Sequence, residues 1–162
     1  MPSTAQLEVE IEAENRVNAL IKDYAPGILA NAQALVGKPV FKADGSLRKD
    51  AQAILDIPSL PERHDTIFLS RSSYSLAFTF KTSAWAKNER EHMSDHCSYA
   101  ETTVYIGHIE DGVLGPVMGF DPDDYKSDYT LEDVLAKQVA CAEAKKAYEE
   151  ARSACNPFGE GR

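Results

Sequence analysis

The period of the apolar positions changes twice along this chain, from helical to two and back to helical, which predicts helices, then strands, then a helix. Ala13, Val17, Leu20, Ile21 and Tyr24 recur at helical spacing, and Ser3 with Gln6 fits a capping box. A helix is therefore expected over about 4–24. Pro26-Gly27 should break it. Ile28, Leu29, Ala32, Leu35 and Val36 restart the pattern, with Gly37 as its stop. Asp44-Gly45 reads as a tight turn, and Leu47, Ala51, Ile54 and Leu55 as a short helix capped by Ser46. Pro58 and Pro61 then start an extended link.

The middle has period two. Tyr74, Leu76, Phe78 and Phe80 alternate with Ser75, Ala77, Thr79 and Lys81, which predicts one core face and one more polar face. Shorter or β-rich runs flank this strand, and Asp111-Gly112 is a hairpin signal. The expected fold is α+β: a four-stranded antiparallel meander, with strands at about 66–70, 74–83, 99–109 and 113–118. N-terminal helices and a long C-terminal helix pack it. Pro116 puts the last strand at an edge.

Thr130 with Asp133 caps the final helix, expected over about 131–154. Val134, Cys141, Tyr148 and Cys155 fall at seven-residue intervals beside an Ala-rich face, a stripe suited to an intramolecular core or a homodimer. Asn156-Pro157 stops the helix, leaving 157–162 as a flexible tail. Residues 1–162 read as a single domain.

Composition narrows the function classes. The formal charge of −9 repels nucleic acid in the absence of a segregated basic patch, so direct nucleic-acid binding is not expected. No apolar run approaches a membrane span, and the acidic start lacks the order of a secretory signal. Three cysteines without CxxC spacing read as reduced thiols in a cytoplasmic protein. Cys141 and Cys155 would stand about 21 Å apart on one helix, beyond disulfide reach.

Candidate chemistry gathers at one end of the expected meander. The connection 86–97 is long and polar for a link between adjacent strands. It should share an end with His64, Asp65, Asp121, Asp123 and Asp124, and His108 should lie at the other end. His64, His92, His96, Asp95 and Asp121 could form a zinc or manganese site. His92 and His96 have HExxH spacing, but Met93, Ser94 and Asp95 stand between them, so the activating glutamate is missing. The run from Asp121 places Tyr125 and Lys126 where a calcium loop needs a ligand and a glycine, which excludes an EF-hand. Ser70, Ser72 and Ser73 lack a nucleophile elbow, and Cys97 beside His96 on a strand would point to the opposite face.

These features point to a non-catalytic intracellular module that binds another protein through acidic or helical surfaces, with no cofactor. Glu8, Glu12, Trp85, Glu89, Glu91, Asp123 and Asp124 are the expected contact residues. Two alternatives stand beside it: a metal-dependent or acid/base enzyme using the His64/His92/His96/Asp121 end, and an acidic nucleic-acid mimic that occupies a partner's basic groove.

Overall fold

In a computed structural model, residues 4–56, 59–85, 97–147 and 158 are described. The class is α+β. Helix α1 (Thr4–Gln33) leads through the short α2 (Lys49–Gln52) and a 3-10 turn (Ala53–Leu55) to strands β1 (Thr66–Arg71), β2 (Ser75–Trp85), β3 (Cys97–Glu110) and β4 (Val113–Leu114); helix α3 (Leu131–Ala147) follows. The sheet has the order β1-β2-β3-β4, with antiparallel pairing between neighbours. The expected meander is therefore present.

Period two carries through to burial. Leu76, Phe78 and Phe80 of β2 are fully buried beside Val104 and Ile106 of β3. Phe78 and Phe80 meet edge-on, with ring centroids 5.7 Å apart. Against this face lies α1, through Val9, Ala13, Val17, Leu20, Ile21, Ala25, Ile28, Leu29 and Ala32. A second stripe of α1, Leu7 and Ile11, packs on Val134 of α3. One helix thus serves two layers. Tyr74 departs from expectation: it sits in the β1–β2 turn, 78% exposed, rather than in the core.

The expected break at Pro26-Gly27 does not occur, because α1 runs through Pro26 without ending. Proline removes one backbone bond and crowds the preceding turn. Pro26 and Gly27 are exposed, however, while Ala25, Ile28, Leu29 and Ala32 around them are buried. Continuing the stripe onto the sheet outweighs the local penalty. After α1 the chain turns at Gly37, whose φ of +81° lies in the left-handed region. The cap of α2 is also corrected: Arg48 holds that position, and Ser46 instead bonds Asp44 within the preceding turn.

Both turn signals behave as their chemistry dictates. Asp111 (φ +54°) and Gly112 (φ +75°) form the left-handed pair that joins β3 to β4. Thr130 N donates to Asp133 Oδ2 at 3.0 Å, and Asp133 N donates to Thr130 Oγ1 at 3.2 Å, a reciprocal capping box. These bonds from Thr130 hold the Asp133 carboxyl below its ordinary pKa.

The fourth strand is shorter than expected. Only Val113 and Leu114 form β4, although the chain stays beside β3 through Gly115 N to His108 O (2.8 Å) and Met118 N to Ile106 O (2.8 Å). A Cβ on Gly107 would stand 2.9 Å from Pro116 O, so the glycine permits this close passage. The expected helix residues 148–154 lie outside the described residues. Within the expected tail, Phe158 packs edge-on against Tyr129 at 5.6 Å.

Candidate functional site

The β2–β3 register sets the two ends of the sheet. Trp85 faces Cys97 at one end, and Ser75 faces His108 at the other, so His108 is separated from the expected site. At the Trp85 end, His64 meets the indole edge-on, with ring centroids 5.1 Å apart. His64 Nε2 is 3.9 Å from Asp65 Oδ1.

Asp65 is the anchor of this end. Its side chain is fully buried and lies 2.7 Å from Arg16 Nη2 of α1. Arg16 Nε donates to the other carboxylate oxygen at 3.0 Å, giving a two-point contact. Thr82 Oγ1 and Glu62 N also donate to Asp65. Burial pushes the Asp65 carboxyl up, but the hydrogen bonds from Arg16, Thr82 and Glu62 outweigh it and hold the pKa below its ordinary value. The same hydrogen bond raises Arg16. With all its polar atoms engaged, Asp65 ties α1 to the sheet.

The remaining candidates divide. Asp121, Asp123 and Asp124 follow the segment that runs beside β3 as far as Met118. Asp121 caps a 3-10 turn (Pro122–Asp124) by accepting from Asp123 N at 2.9 Å. Among the described residues there is no group of three or more His, Cys, Asp or Glu side chains able to hold a metal. His92, His96, Asp95, Glu89 and Glu91 lie outside the described residues. Glu8, Glu12, Asp123 and Asp124 are exposed, and Trp85 is half-buried.

The helical stripe is also redistributed. Val134 is fully buried against Leu7 and Ile11, so at this position it serves the chain's own core. Cys141 is disulfide-bonded, whereas Cys97 is a free thiol. This corrects the expectation of reduced thiols throughout. The distance that argued against a bond assumed one helix through both cysteines, and α3 is described only to Ala147. Tyr148 and Cys155 lie outside the described residues.

One surface escaped the sequence reading. The sheet face opposite α1 carries Thr66, Phe68 and Ser70 from β1, Ala77, Thr79 and Lys81 from β2, and Tyr99, Glu101, Thr103 and Tyr105 from β3. Phe68, Tyr99 and Tyr105 are 46%, 65% and 58% exposed. A hydroxyl ladder crosses the three strands: Ser70 Oγ lies 3.2 Å from Thr79 Oγ1, which lies 2.8 Å from Thr103 Oγ1. The Lys81 ammonium sits 4.9 Å from the centroid of the Tyr99 ring. The signal for this face was the odd-numbered alternation Tyr99, Glu101, Thr103, Tyr105, out of phase with Ala100, Val104 and Ile106.

No protein-family model matches the chain, and comparison with curated proteins and with solved structures likewise finds no match.

Proposed function

We propose that this chain is a non-catalytic protein-binding module whose partner docks on the open face of the sheet. The observation that carries this reading is the exposure of Phe68, Tyr99 and Tyr105 on one face, away from α1. Aromatic side chains offer large contact area at low entropic cost and are enriched in protein interfaces. Lys81 supplies a cation over Tyr99, and Glu101 lies opposite it across the strands. A partner with apolar side chains and a carboxylate to meet Lys81 fits this surface.

Stacking of nucleic-acid bases would use similar rings. The net charge of −9 and Glu101 on the same face favour protein over a polyanion. A cytoplasmic setting was expected partly from the cysteines, but the disulfide at Cys141 removes that support, since such bonds persist mainly in oxidising compartments. No helix among the described residues is long and apolar enough to cross a membrane.

The test is site-specific photocrosslinking in the native host, with the crosslinker at Thr103. A discrete protein adduct that disappears in the Tyr99→Ser/Tyr105→Ser variant supports the proposal. Adducts that form only from crosslinkers at Glu8, Glu12 or Asp123, or adducts unaffected by the double substitution, would overturn it.

A further inference from the structure

The two edges of the sheet are built differently. At the β4 edge, the segment after α1 runs alongside: Gly37 N donates to Leu114 O at 2.8 Å, Leu114 N to Lys38 O at 3.2 Å and Val40 N to Gly112 O at 2.9 Å. A further bridge joins Pro39 to Val113. At the opposite edge, β1 pairs only with β2 among the described residues. Among the described residues, no backbone hydrogen bond outside that ladder involves residues 66–71.

The hairpin fixes which groups of β1 face outward. Ser72 N donates to Ser75 O at 3.0 Å, and the register continues with Arg71 opposite Leu76 and Ser70 opposite Ala77. Alternation then turns the N–H and C=O groups of Ile67, Leu69 and Arg71 away from β2. Sheet edges of this kind are normally blunted by proline, lysine or a covering segment. Neither residue occurs between Thr66 and Arg71, and Phe68 is 46% exposed there.

We propose that β1 pairs antiparallel with β1 of a second copy of this chain, about a two-fold axis at Leu69, joining two four-stranded sheets into one. In that register Leu69 faces Leu69 of the second copy, and Ile67 faces Arg71. These are the positions whose backbone groups point outward, so each pair exchanges both of its hydrogen bonds. On the open face Phe68 lies opposite Ser70 of the second copy and diagonal to its Phe68, within reach of ring contact. The strand's one charged residue, Arg71, meets the uncharged Ile67. An identical strand therefore satisfies the edge in hydrogen bonding and in side-chain pairing.

Amide hydrogen exchange on the intact chain, run with sedimentation over a hundredfold range of concentration, tests this. The amides of Thr66, Phe68 and Ser70 face β2 and stay protected throughout. Those of Ile67, Leu69 and Arg71 should slow at least about tenfold as the dimer forms. Phe68→Lys, which sets two ammonium groups diagonally across the axis, should weaken the dimer at least about tenfold. Tyr99→Lys, two strands away, should leave it intact. A monomer up to about 1 mM, or a dimer in which the three outward amides still exchange freely, would overturn the proposal. Protection of those amides only on adding a different protein would assign the edge to that protein instead. None of these outcomes depends on which partner meets Tyr99 and Tyr105.

Discussion

Arg16 Nη2 lies 2.7 Å from Asp65 Oδ2, and this pair joins the N-terminal helix to the residue before the first strand. Thr82 completes the link from β2, where it is fully buried. The contact spans 49 positions of sequence and fixes how α1 lies across the sheet.

Removing the Asp65 carboxylate takes the anion from Arg16, whose side chain is 30% exposed, and the buried acceptor from Thr82 and Glu62 N. Asp65→Asn should destabilise the fold by about 1–3 kcal/mol, read as a lower urea midpoint with an unchanged slope. The pH dependence has a definite sign. The Asp65 pKa is lower in the folded chain than its ordinary value. Its contribution is therefore complete above the unfolded value, about pH 4, and is lost as pH falls through the depressed folded value. Asp65→Asn should flatten the acid limb of the stability profile. An unchanged acid limb would remove this role.

The proline within α1 costs the helix a bond to Lys22 and crowds that turn. Because Pro26 is exposed, alanine there makes no new core contact. Pro26→Ala should stabilise the fold by about 2 kcal/mol, the helix gain less the greater freedom of the unfolded chain. A thermal melt that does not move upward would show that the proline is accommodated without penalty.

Gly107 is a position of contact rather than of turn geometry. Gly107→Ala would set a methyl group 2.9 Å from Pro116 O and 3.3 Å from Leu114 Cδ1. The expected result is a loss of about 1–3 kcal/mol. In hydrogen exchange, the Met118 amide, bonded to Ile106 O, should lose protection before the β2–β3 amides do.

Three cysteines, with Cys97 free and Cys141 bonded, predict one titratable thiol in the unfolded, unreduced chain. Three thiols under those conditions would exclude the bond. Peptide mapping after alkylation should place the label at Cys97.

The strands were legible because alternation is a short-range property. The buried run Leu76, Phe78, Phe80 is written directly in the order of residues. The Asp111-Gly112 turn and the Thr130–Asp133 cap also act within a few positions. Pro26 misled because a local breaker met a long-range apolar stripe, and packing prevailed. The length of β4 was hidden in Gly107, whose missing side chain admits a neighbour seven or more positions away. At the candidate site, His64 was expected at the end of the sheet where β2 gives way to the 86–97 connection, and it meets Trp85, the last residue of β2. The rest of the expected cluster around Asp121 rests on His92, Asp95 and His96, which lie outside the described residues. The open aromatic face was invisible for a different reason: alternation separates Tyr105 from Ile106, but only the placement of α1 decides which of the two meets water.

The 30-residue α1 leaves the ribosome well before the sheet that covers it. Its apolar stripe finds Phe78, Phe80 and Val104 only after β2 and β3 have been made, some 70 residues later. At about 5–20 residues per second, that interval is several seconds. During translation the nascent helix is thus a sticky rod awaiting its cover, and synthesis speed becomes a determinant of yield.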